Sequence, residues 1–125
     1  MILDTNAVSD LLAGNPDLDT LLVHSEKHHL PVIVIGEYRF GLMASRKREV
    51  LERLLDQLAE ESYILSPDRN TARHYASIRH ELKRKAKPIP ENDIWIAALA
   101  RQHQLEVASN DEHFNLVESI DRISW

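Results

Sequence analysis

Short apolar runs, separated by longer stretches of helical periodicity, organise this chain. The runs 1–4 (MILD), 31–35 (PVIVI), 62–65 (SYIL), 105–108 (LEVA) and 120–123 (IDRI) have the length and continuity of buried strands. Between them, apolar positions recur every three or four residues. Leu18, Leu21 and Leu22 follow Asn15-Pro16, a turn and helix-start signal. Val50, Leu51, Leu54, Leu55 and Leu58 form a stripe on a segment otherwise rich in Arg, Glu, Asp and Gln. Ser66-Pro67 predicts an N-cap with proline at the first helical position, opening a helix with Ala72, Tyr75, Ala76, Arg79 and Leu82 on one face. Pro88 and Pro90 then break the chain before 91–103 (ENDIWIAALARQH), which is apolar nearly all round from Ile94 to Ala100 and so predicts a buried helix.

Short apolar strands alternating with helices imply a parallel sheet covered on both faces. The expected fold class is α/β: a three-layer α/β/α sandwich with a central, mainly parallel sheet of four to five strands. No repeat, low-complexity tract or linker interrupts the pattern, so 1–125 is expected to be a single domain.

Parallel α/β sheets bind ligands outside the carboxyl ends of their strands. Asp4 ends the first predicted strand, and Glu37 follows the second, just after Ile35-Gly36. Asp93 lies in the first turn of the buried helix, and Asp111 follows the fourth strand through Ser109-Asn110. Taken singly, each acid has a structural reading. Asp4 or Asp111 suits a helix N-cap, Glu37 a solvated face, and Asp93 the positive end of a helix dipole. Taken together, the four occupy equivalent positions along one sheet edge. Converging carboxylates repel, and a hard divalent cation such as Mg²⁺ or Mn²⁺ removes the conflict. Thr5, Asn6, Asn92, Ser109 and Asn110 lie beside the acids, where they can orient ligands or waters.

Composition narrows the remaining classes. With 43% hydrophobic and 28% charged residues the chain reads as soluble and globular. No apolar run approaches the ~20 residues of a membrane span, and Asp4 interrupts the start where a signal peptide would be apolar. The absence of cysteine excludes disulfides and cysteine zinc sites, and a cytoplasmic location is expected. The net charge is −5, yet 68–90 holds seven Lys and Arg against Asp68 and Glu81. Such a patch suits either a solvated helix face or contact with a polyanion.

Four segments together resemble the motifs of PIN-domain ribonucleases, above all the VapC-type toxins of bacterial toxin–antitoxin pairs. They are "ILDTN", "GEYRFGL", "IPENDIWIAALA" and "SNDEHF". The resemblance spans essentially the whole chain, and "NDIWIAA" followed by "SNDEHF" is its most specific part. It implies a PIN-like fold in which Asp4, Glu37, Asp93 and Asp111 are the acidic quartet that binds Mg²⁺ or Mn²⁺. It further implies hydrolysis of RNA phosphodiesters by metal-activated water, leaving 5′-phosphate and 3′-hydroxyl ends. Homodimerisation and inhibition by a cognate antitoxin covering the acidic pocket are expected on the same ground.

If the acids form the site, Arg79, Lys83, Arg84, Lys85 and Lys87 lie near its rim and are candidates for RNA phosphate; Arg46, Lys47 and Arg48 are weaker ones. Tyr38 and Phe40 are candidates for stacking on an unpaired base, with core or protein packing as the alternative. Leu42 and Met43 suit an exposed interface patch. His24 and His28, four apart, form a possible zinc pair without a recognisable third ligand. His103 and His113 read as surface or supporting groups. Two rival functions stay open. One is a non-catalytic PIN-like module binding RNA or protein. The other is an Mg-dependent phosphoacceptor signalling domain, which would require an acceptor aspartate after a middle strand and a lysine after a late one.

Overall fold

The computed structural model describes residues 1–25 and 27–125. Along the chain run β1 (Ile2–Leu3), α1 (Thr5–Leu12), α2 (Pro16–Val23), β2 (His29–Pro31), α3 (Val32–Leu42) and α4 (Arg48–Glu60). There follow β3 (Tyr63–Leu65), α5 (Arg69–Arg84), α6 (Glu91–His103), β4 (Val107–Ala108), a 3₁₀ turn (Glu112–Leu116) and β5 (Arg122–Ile123). The strands pair in the order β3-β2-β1-β4-β5, every pair parallel. This is the expected three-layer α/β/α architecture. Among the described residues no helix is long and apolar enough to cross a membrane.

The order carries a functional consequence. From β1 the chain steps outward to β2 and β3, then returns to the other side of β1 for β4 and β5. The strand order therefore reverses between β1 and β4, and their carboxyl ends flank the crevice where open α/β sheets place ligands. The core beneath is continuous: Ile2, Leu3, Leu30 and Val107 from the strands meet Val8, Val34, Leu55, Ile96 and Leu99 from the helices, all buried. The α6 helix, wholly apolar from Ile96 to Ala100, is the most deeply set, and α5 packs along it.

Four expectations are corrected. First, the run Pro31-Val32-Ile33-Val34-Ile35 is not a strand. Pro31 closes β2, and its extended backbone (φ −65°, ψ 139°) leads straight into α3. Val34, Tyr38 and Leu42, four apart, face the core while Val32 is exposed. A short β-branched run has no periodicity of its own, and burial of one helical face decided its state. Second, α5 starts after Asp68, not after Ser66. The Asp68 carboxylate accepts from the backbone N–H groups of Asn70 and Thr71, and the Thr71 hydroxyl accepts from the Asp68 N–H in return. This reciprocal cap satisfies more donors than a serine before proline. Third, the inward face of α5 is Thr71, Ile78 and Leu82; Ala72, Ala76 and Arg79 face solvent. The α4 stripe is likewise narrower than expected, with Leu55 and Leu58 buried but Val50 and Leu54 exposed.

Candidate active site

Asp4 continues the β1 ladder by donating its backbone N–H to the Ala108 carbonyl at 3.3 Å. The chain then turns into α1, and Asp4 serves as its N-cap: Oδ1 accepts the Ala7 N–H at 2.8 Å. Oδ2 accepts from the hydroxyl of Ser109, which is fully buried at the end of β4. Only 4% of Asp4 is exposed. Burial, the dominant influence, pushes its pKa from an ordinary 3.8 up to about 6; the Ser109 and Ala7 bonds pull it down, while the charges of Asp93 and Asp111 raise it further.

The Ser109 hydroxyl is also the acceptor for the Asp111 backbone N–H at 2.9 Å, so one buried oxygen holds Asp4 and the Asp111 turn together. Asp111 caps the 3₁₀ turn, its Oδ1 accepting the His113 N–H at 2.9 Å. Asp93, the third residue of α6, is raised above the ordinary carboxylate range, first by burial and then by the charges of Asp111 and Glu37, against the lowering effect of His113. Glu37 arrives from within α3 rather than from a strand end, because the second strand ends earlier than its apolar run suggested. The packing of α3 on α1 brings it in, and the Thr5 hydroxyl donates to its Oε1 at 3.1 Å.

All four acids thus line one pocket of about 410 Å³, together with Thr5, Asn6, Asn92 and the backbone turn at Pro90-Glu91. Asn110 is not part of it: its Oδ1 accepts the Trp125 N–H at 3.2 Å and ties the end of the chain to the turn. His113, expected as a surface or supporting group, stands as a support between two of the acids. Its Nδ1 lies 3.2 Å from Asp93 Oδ2 and 2.9 Å from Asp111 Oδ1. The ligand atoms of Asp93, Asp111 and His113 fall within 4.8 Å of one another. The spacing Asp111-x-His113 at a capped turn was the available signal.

The donor set fits a hard divalent cation. It is dominated by carboxylate oxygens, it is open to solvent on one side, and its most buried member resists ionising without a counter-charge. Other candidate residues are placed differently. Tyr38 is core, 8% exposed, so stacking on a base from that position is excluded; Phe40 is 81% exposed. Leu42 is buried and Met43 exposed, so only the latter belongs to a surface patch. His28 Nδ1 lies 3.4 Å from the Ser25 hydroxyl, and neither His24 nor His28 joins a cluster of metal-type ligands among the described residues. Asp68, the acid after β3, is committed to capping α5 and to Gln102. Of the basic cluster, Lys85 pairs with Glu118 at 2.8 Å, and Arg84 lines a shallow groove with Glu81, Lys85 and Glu118. Arg79 contacts Tyr75 and Glu91, and Lys83 and Lys87 are exposed.

The PIN-domain family profile matches residues 1–119. The chain is 36% identical to the toxin FitB of Neisseria gonorrhoeae, over 89% of this chain and 87% of that protein. It is 31% identical to the VapC ribonuclease Y4jK of Sinorhizobium fredii, over 89% and 86% of the respective chains. The crystal structure of VapBC-5 from Mycobacterium tuberculosis, a member of the VapBC family of toxin–antitoxin systems, superposes with a TM-score of 0.79 at 25% identity, covering 99% of this chain and 97% of that one.

Proposed function

This chain belongs to the PIN-domain family, and from that premise we propose that it is a metal-dependent endoribonuclease acting as the toxin of a toxin–antitoxin pair. The observation that carries the reading is the meeting of Asp4, Glu37, Asp93 and Asp111 in one pocket at the point where the strand order reverses. Three of these positions double as structural caps or helix starts, yet burial makes two of them, Asp4 and Asp93, costly to ionise where they stand.

Asp4, Asp93, Asp111 and Glu37 would hold Mg²⁺ or Mn²⁺. Such an ion, when bound, lowers the pKa of water and neutralises charge developing on a phosphodiester. The protein's own groups supply position. Ser109 locks Asp4 to the Asp111 turn, so two acids from neighbouring strands keep a fixed separation. Thr5 holds one oxygen of Glu37, and the other can orient a water in line with the bond to be cut or accept its proton. His113 spans Asp93 and Asp111 and holds α6 against the turn after β4. Asn6 and Asn92, exposed on the pocket wall, offer amide groups to the phosphate or ribose of an RNA. Exposed Arg79, Lys83 and Lys87 supply the attraction that an acidic pocket withholds from a polyanion.

The same reading assigns a homodimer and a cognate antitoxin as partners, in line with the toxin–antitoxin structure it resembles. The deciding experiment is cleavage of RNA by the purified protein with Mg²⁺ or Mn²⁺, beside Asp4→Asn and Asp93→Asn. Cleavage is expected to require metal and to be lost in both variants; cutting that persists in EDTA, or at parental rate in the variants, would overturn the reading. Expressed alone, the protein should arrest growth, and co-expression of a neighbouring small gene should relieve the arrest.

A further inference from the structure

Glu91 lines the acidic pocket on one side and, on the other, a second cleft of about 720 Å³ between the end of α5 and the loop into α6. The floor of this cleft is aliphatic: Leu82, Ile89 and Ile94 are 2%, 8% and 6% exposed. Its rim carries Arg79 and Lys83, the two cations of the basic cluster that face it. Arg79 reaches Glu91 at 3.3 Å, but this pair is more than half exposed on both sides. An ion pair of that kind contributes little, so Arg79 can exchange Glu91 for a phosphate at small cost.

We propose that this cleft is a nucleotide subsite, taking one unpaired nucleotide of single-stranded RNA beside the bond cut in the acidic pocket. The base lies on Leu82, Pro88 and Ile89, and its phosphate lies on Arg79 and Lys83. The inference rests on the ribonuclease reading and deepens it. Two observations select this occupant. Glu91 lines both the cleft and the acidic pocket, so the two are neighbours and a strand leaving one can enter the other. Its charge is complementary to a nucleotide, cationic at the rim where a phosphate sits and apolar at the floor where a base loses water. The volume falls in the range of small-ligand pockets and accommodates a single nucleotide.

The test is an NMR titration of ¹⁵N-labelled protein in EDTA with adenylyl-(3′→5′)-adenosine, compared with ribose 5-phosphate. The dinucleotide should shift the amides of Leu82, Lys83, Ala86, Ile89 and Glu91. Ribose 5-phosphate should act only near Arg79 and Lys83, and roughly tenfold more weakly, because it brings no base. Arg79→Gln with Lys83→Gln should weaken the dinucleotide roughly tenfold while leaving the rest of the spectrum in place. Shifts that map elsewhere, equal binding of the two probes, or unchanged affinity in the double variant would each overturn the subsite. The titration needs no cleavage, so these failures leave the ribonuclease reading standing. A protein that binds the dinucleotide at the cleft yet cuts no RNA fails the ribonuclease reading alone.

Discussion

Asp4 does two jobs that pull in opposite directions. As an N-cap it stabilises α1, and as a buried acid beside Asp93 and Asp111 it resists ionisation. Its pKa is raised from 3.8 to about 6 on folding, so the metal-free folded protein favours the neutral form only below about pH 6. Its contribution to stability is therefore fully present below about pH 4 and is lost as pH rises through 6. A shift of this size corresponds to roughly 3 kcal/mol at neutral pH. Asp4→Asn mimics the neutral acid, and its carbonyl oxygen can still accept the Ala7 N–H. In EDTA the variant should match the parent in urea unfolding near pH 4 and exceed it by up to about 3 kcal/mol at pH 7.5, while cleaving no RNA. Ser109→Ala tests the opposite case. It leaves Asp4 Oδ2 and the Asp111 N–H without their shared partner, so a loss of about 1–3 kcal/mol and a sharp fall in cleavage are expected. At this scale the sequence was readable because each acid follows or opens an apolar element. His113 was readable as a supporting group, but its contact with Asp93 was not, because that depends on α6 and the turn after β4 meeting in space.

Elements were legible where a pattern had both periodicity and an end signal. The α2 helix begins as Asn15-Pro16 promised, with Asn15 Oδ1 accepting the Asp17 N–H at 2.9 Å, and α6 is the buried helix that its composition implied. The failure at α3 has a physical cause. Val32, Ile33, Val34 and Ile35 are strand formers by local preference, but the sheet uses only His29–Pro31, and the helix wins by burying Val34, Tyr38 and Leu42. Glu37 still reaches the pocket, but from within α3 rather than from a strand end, because α3 packs on α1. In α5 the hidden signal was Thr71. This buried threonine closes the cap with Asp68 and donates to Gln102 of α6, coupling the start of one helix to the end of its neighbour. Thr71→Val keeps the volume and removes the hydroxyl. It should lower stability by about 1–2 kcal/mol in urea unfolding and leave the cleavage rate at the parental level, since Thr71 is absent from both the acidic pocket and the adjoining cleft.

For the whole molecule, the arrangement β3-β2-β1-β4-β5 is what converts scattered acids into a site. The sequence implied a parallel sheet but held no direct record of strand order, which is fixed by long-range pairing of very short strands. That order sets Asp4 and the Asp111 turn at adjacent strand ends, so a cation held between them would couple its binding to folding. A ligand that binds only the folded protein stabilises it by RT ln(1 + [L]/Kd), about 2.7 kcal/mol at a hundredfold excess over Kd. Cation binding requires ionised carboxylates, so the gain must depend on pH in the opposite sense to the metal-free protein. At pH 7.5, where Asp4 and Asp93 otherwise carry unwelcome charge, Mn²⁺ should raise the melting temperature. Near pH 5, where Asp4 holds a proton, the same Mn²⁺ concentration should give a much smaller rise. Differential scanning fluorimetry across this range, with Asp93→Asn as control, distinguishes binding in the pocket from general ionic effects. A melting temperature that responds equally at both pH values, or equally in the variant, would place the cation elsewhere on the surface.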